Sequence, residues 1–191
     1  MEQRCQTALQ ELLAREAIRD CLFRYARGID RADEAALRSA YWPDATDRHG
    51  AWRGSASGFV DQALPRLRAG GRRVHQIANV LIERHGDQAA VESSFFALQT
   101  TAAEPARETL LCGRYLDRFE RRGDEWRIAE RTVVYDWIDE RPRPELAQGD
   151  AALFGRRQPT GARGPADPLY ALLAAVRPHA PQADTPPETP A

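Results

Sequence analysis

The chain has 191 residues, 42% of them hydrophobic, with 27 basic and 28 acidic side chains and a formal charge of −1. That content fits one ordinary domain with a core and a tail. The balanced charge gives no electrostatic attraction to nucleic acid or to a membrane surface.

From Thr7 to Gly28 the apolar residues Leu9, Leu12, Leu13, Ile18, Leu22, Phe23 and Ala26 recur at three- and four-residue steps, the period of an amphipathic helix that Gly28 is expected to end. Asp33 then caps a shorter helix, "EAALRSAYW", which stops at Pro43. Residues 44 to 55, "DATDRHGAWRGS", are rich in turn formers and predict a short irregular hairpin. Within it Asp44, Asp47 and His49 lack metal-ligand spacing and read as a solvated loop. Ser55 or Ser57 caps a third helix through "GFVDQALPRLRAG", which Pro65 is expected to kink or end.

After Gly70-Gly71 the period changes to two. Four strands are predicted, at 72–84, 88–101, 108–121 and 125–139, with "RHGDQ" and "RRGDE" as hairpin turns. Helices followed by an antiparallel meander predict an α+β fold, with the N-terminal helices packed on the concave face of a curved sheet. This domain is taken as residues 1–140. Residues 141–191 form a Pro/Gly-rich extension in which 167–176, "DPLYALLAAV", can make one helix that docks on a neighbour or on a pocket mouth. The last dozen residues are not expected to be ordered by themselves.

Cys5, Cys21 and Cys112 are odd in number and lack CxxC spacing, which reads as reduced thiols in a cytoplasmic protein. No signal peptide is visible, and no window reaches the roughly 20 apolar residues of a membrane helix. All the basic residues are scattered arginines, which points to codon composition and not to a binding stripe. No GxGxxG, GxxxxGK[ST] or GxSxG occurs, so nucleotide cofactors and serine-hydrolase chemistry find no support.

Residues two apart on a strand point the same way, so "VHQIANVLIE" places His75, Ile77, Asn79 and Leu81 on one face. The last strand likewise combines Arg131, Val133, Tyr135 and Trp137. An unpaired buried arginine is costly. The face is therefore either open to solvent, or lines a cavity where acids and substrate oxygens satisfy the charge; pairing of Arg131 with Glu120 or Asp117 across strands is a third arrangement. Asp30 follows the first helix and Tyr25 precedes it by five residues. A carboxylate beside an imidazole fixes the tautomer and makes a general base of the pair, and Tyr25 and Arg131 can then stabilise an oxygen that gains negative charge. Trp42, Trp52, Phe96, Tyr135 and Trp137 are the candidate walls of an apolar pocket, with Asn79 as a polar contact.

The succession of a long helix, "YARGID", "WPDAT", "VHQIANVLIE" and "GRYLDRFERRGDEWRIAERTVVYDW" resembles the SnoaL-like branch of the nuclear-transport-factor-2-like superfamily, over residues 7 to 140. It is most similar to the group of bile-acid 7α-dehydratase, scytalone dehydratase and hexachlorocyclohexane dehydrochlorinase. The tail piece "GRRQPTGARGPADPLYALL" also looks like C-terminal extensions of that branch. The resemblance implies a cone-shaped roll of a curved mixed or antiparallel sheet, and a catalytic dyad in which the "GID" aspartate matches Asp30 and the strand histidine His75, with Tyr25 and Arg131 in the pocket. It implies a cofactor-free, metal-free lyase acting on a bulky hydroxylated aromatic, polycyclic or steroid-like molecule, and a homo-oligomer, dimer or trimer. Formaldehyde-releasing cleavage of an aryl-propanoid and ketosteroid-type isomerisation use the same base; a non-catalytic binding or assembly module is the competing class.

Overall fold

A computed structural model describes residues 1–101, 107–142 and 157–176. Helices α1 (Glu2–Arg31) and α2 (Glu34–Ser39) lead into strands β1 (Tyr41–His49) and β2 (Trp52–Ser55), then helix α3 (Ala56–Ala69). Strands β3 (Arg73–His85), β4 (Gln88–Thr100), β5 (Arg107–Arg122) and β6 (Glu125–Pro142) follow, and the tail adds a 3₁₀ turn (Gly164–Ala166) and helix α4 (Pro168–Val176). The predicted α+β class holds. The strands form one six-stranded sheet in the order β2-β1-β6-β5-β4-β3. Only β1 and β6 run parallel; the other neighbours are antiparallel. The sheet is curved and unclosed, with the helices on its concave side.

α1 is longer than its periodicity predicts, because it does not end at Gly28. A Cβ at Gly28 would lie 2.7 Å from Leu37 Cγ, so the glycine serves the close approach of α2. The chain leaves the helix at Ala32, a left-handed residue (φ 52) whose N–H bonds the Gly28 and Ile29 carbonyls. Asp33 caps α2 as predicted, its side chain accepting from Ala36 N–H. Ser55 caps α3 by accepting from Gly58 N–H. Pro65 does not end α3, which continues to Ala69.

Ile18, Leu22, Tyr25, Leu37, Val60, Tyr115, Phe119 and Ile128 are buried between helices and sheet. The hairpin expected over residues 44–55 is the antiparallel β1–β2 pair, but its first arm is not solvated loop: β1 also pairs with β6 through Thr46↔Glu130, Asp47↔Arg131 and Arg48↔Thr132. Two bulges change the parity of the long strands. β3 carries one residue more than β4 between Ala78 and Leu81, and Asn79 sits there at φ 47. An extra residue reverses which side chains face inward, so Leu81 is 64% exposed and Ile82 only 5%. In β6 the pairs Gly113↔Tyr135 and Cys112↔Trp137 leave Asp136 unpaired, which turns Trp137 outward at 63% exposure.

Residues 143–156 and 177–191 lie outside the described residues, and with them the expectation for the last dozen residues. No described helix is long and apolar enough to cross a membrane.

Candidate active site

Asp30 stands in the last turn of α1, facing the start of β3. Its Oδ1 lies 2.7 Å from His75 Nδ1, and its Oδ2 accepts the His75 backbone N–H at 2.9 Å. One carboxylate therefore holds both the ring and the backbone of the same residue. With Asp30 ionised, Nδ1 carries the hydrogen and Nε2 keeps its lone pair. Both side chains are nearly buried, at 12% and 11% exposure.

The dyad opens onto a cavity of about 520 Å³ whose walls include Phe23, Ala26, Arg27, Ile77 and Leu169. Leu169 belongs to the C-terminal segment, which is anchored beside the mouth. Tyr170 O–H donates to Asp33 Oδ2 at 2.6 Å, Asp167 pairs with Arg31 at 3.1 Å, and Arg163 donates to the carbonyls of Arg68 and Gly71.

Tyr25 and Arg131 meet each other deeper in the cone and do not line that cavity. The Arg131 guanidinium lies 4.1 Å from the ring centres of Tyr25 and Tyr115. It is bound in a fork by Asp117, with Nε and Nη2 at 2.7 and 2.6 Å from the two oxygens. Of the three arrangements open for this arginine, cross-strand pairing with Asp117 is the one found; Glu120 instead engages Arg118 and Arg122. Burial raises the Tyr25 phenol well above its usual range, so it stays a hydrogen-bond donor.

The wall candidates divide. Tyr135 points inward, edge-on to His49 and Phe95. Phe96 is corrected to its neighbour: Phe95 is 2% exposed and Phe96 51%, because the sheet presents alternate residues inward. Trp137 faces outward through the bulge at Asp136, and Asn79 is exposed at the bulge in β3. Trp42 borders a separate depression with Arg38, Tyr41, Val60 and Arg127, and donates its Nε1–H to the Glu120 carbonyl at 3.0 Å. Trp52 packs against the start of α3, where a Cβ at Gly58 would meet its ring at 2.7 Å.

Two interior residues lie in the stretch whose sequence reads as solvated loop. Asp47 and His49 alternate with Ala45 along β1, and Ala45 and Asp47 are buried. That alternation was the available signal; the turn formers around it hid the strand. The His49 ring stacks on Phe59 at 4.5 Å. Burial, the Arg131 charge and His75 push it down to about 3, so His49 is neutral and lies within electrostatic reach of both the dyad and Arg131. Among the described residues no group of His, Cys, Asp or Glu is placed to hold a metal ion.

The family described as the SnoaL-like domain matches residues 10–132. Similar solved structures include a hexachlorocyclohexane dehydrochlorinase of type 3 from Novosphingobium barchaimii, with 21% identity, coverage of 70% of this chain and 94% of that one, and a TM-score of 0.63. A candidate scytalone dehydratase from Novosphingobium aromaticivorans gives 17% identity, 68% and 88% coverage, and a TM-score of 0.62. The β subunit of a candidate aromatic-ring-hydroxylating dioxygenase from the same organism gives 22%, 68% and 93%, and 0.54. At these identities the likeness establishes the fold. No match is found among curated proteins.

Proposed function

The chain belongs to the SnoaL-like domain family, and from that membership and the His75–Asp30 geometry we propose a cofactor-independent lyase of the dehydratase type. The double contact of Asp30 with His75 is the observation that supports it most. Asp30 fixes the ring and would stabilise the imidazolium formed when Nε2 accepts a proton. His75 removes that proton from a carbon of a bulky hydroxylated aromatic, polycyclic or steroid-like substrate. The electron pair released forms the double bond, and the C–O bond breaks. For a substrate that extends from the dyad's cavity deeper into the cone, Tyr25 O–H and Arg131 Nη1, which lack a hydrogen-bond partner among the described residues, would stabilise the charge that gathers on oxygen.

The lyase names of two structural neighbours favour this chemistry over a passive binding role. The test is incubation with a panel of hydroxylated aromatics and steroids followed by mass spectrometry. Loss of one water supports elimination, loss of one formaldehyde directs the same base to a hydroxyl proton, and release of unchanged ligand rejects the enzyme. His75→Gln must abolish turnover while the circular dichroism spectrum is kept.

An oligomer fits the same reading. Val74 beside Leu98, and Phe96 two strands from Trp137, form an exposed apolar patch on the outer face of the sheet. A dimer or trimer that covers it would be seen by light scattering.

A further inference from the structure

The interior face of strands β1, β6 and β5 holds two buried carboxyl groups and one buried guanidinium. Asp47, Arg131 and Asp117 are register partners on adjacent strands β1, β6 and β5. Arg131 is forked onto Asp117, with both side chains fully buried. One cation neutralises one carboxylate, and Asp117 takes it. Asp47 is the surplus acid.

The groups that face Asp47 are Tyr41 and His49 from its own strand, Arg131 and Tyr135 from β6, Asp117 from β5 and Tyr25 from α1. Tyr41 O–H donates to Asp47 Oδ2 at 2.6 Å. His49 Nδ1 stands 3.8 Å from Oδ1, beyond hydrogen-bond reach. Asp47 Oδ1, His49 Nδ1, Tyr25 OH and Arg131 Nη1 are all buried without a hydrogen-bond partner among the described residues. Buried polar atoms are normally paired, so a cluster of unpaired ones marks a place that an oxygen of a bound molecule completes.

We propose that Asp47 holds a proton and gives it from Oδ1 to the leaving or carbonyl oxygen of the substrate, as the acid that complements His75. The substrate class is thereby narrowed to molecules with an acceptor oxygen directed to the Asp47–His49 end. This rests on the lyase reading. In an elimination the C–H electron pair opened by His75 becomes the C=C bond, the C–O bond breaks towards oxygen, and that oxygen takes the Asp47 proton and leaves as water. His75 ends as the cation and Asp47 as the anion, and proton transfer between them through solvent resets both. Burial supports the assignment, since it pushes the Asp47 carboxyl up to about 6 against the Tyr41 hydrogen bond and the Arg131 charge.

The test uses 1-tetralone, an aryl ketone that accepts but cannot donate, titrated into the full chain from about pH 5 to about pH 8. Wild-type affinity falls as pH rises through about 6, by up to about tenfold per pH unit once the donor is ionised. Asp47→Asn keeps a donating amide and binds with no such pH dependence, whereas Asp47→Leu is about tenfold weaker at the acid end. His75→Gln retains the wild-type pH dependence. A pH-independent wild-type affinity, no binding at about pH 5, or an Asp47→Asn variant that keeps the pH dependence overturns the proposal. Persistent turnover by His75→Gln removes the lyase reading instead, and leaves the ketone titration standing.

Discussion

Asp30 grips His75 at two points, ring Nδ1 at 2.7 Å and backbone N–H at 2.9 Å. The second contact ties the carboxylate to the strand itself, so ring orientation and strand position are set together. An asparagine at position 30 keeps one acceptor oxygen but no charge, and its amide favours the wrong imidazole tautomer. Asp30→Asn is expected to lower kcat by three to four orders of magnitude, on the order of the loss seen when a histidine base loses its carboxylate. Steady-state kinetics with unchanged circular dichroism checks it.

Arg131 and Asp117 are a buried pair whose members cannot be removed singly without leaving a naked charge. Arg131→Met is expected to cost about 3–5 kcal/mol of unfolding free energy, and the double variant with Asp117→Leu markedly less. Denaturant titration of the two singles and the double gives the coupling.

Asp47 and His49 have opposite acid responses. The His49 pKa falls from 6.5 unfolded to about 3 folded, so the unfolded chain binds the extra proton and stability drops as pH is lowered between those values. The Asp47 pKa rises from 3.8 to about 6, so the folded chain binds the extra proton and stability drops as pH is raised across that window. The slopes nearly cancel between about 4 and about 6 in the wild type. His49→Gln should therefore gain stability on acidification from about 6 to about 4, and Asp47→Asn should lose it. Thermal melts across that range read the sign.

Gly28 faces Leu37 without room for a methyl group. Gly28→Ala forces α1 and α2 apart and is expected to destabilise by about 1–3 kcal/mol despite its better helix propensity. Chemical denaturation measures it.

The C-terminal segment is held over the helix ends by Tyr170 O–H on Asp33 and by Arg163 on two carbonyls. Tyr170→Phe removes one bond, about 1 kcal/mol. It should raise amide exchange in residues 160–176 several-fold without altering exchange in β5, as hydrogen exchange mass spectrometry will show.

Local signals were sufficient for much of this protein. Period-3.6 and period-2 runs located α1 and the four long strands to within a few residues, because an element with one buried face writes its period into the sequence. Asp33 and Ser55 announced their helices through side-chain caps. Asp30 and His75 were paired by resemblance to a family pattern. Spacing alone did not unite them, since 45 residues separate them.

What the sequence determined by itself was the α+β class, the order of elements and the residue types available to a site. Tertiary structure alone decided which side chains face one another. Single extra residues in β3 and β6 reversed the faces expected of Leu81 and Trp137, and a bulge leaves no local period to read. Asp47 and His49 became interior because β1 lies parallel to β6, some eighty residues away in the chain. Burial is a property of that long-range pairing, and a short turn-rich stretch does not encode its own neighbours.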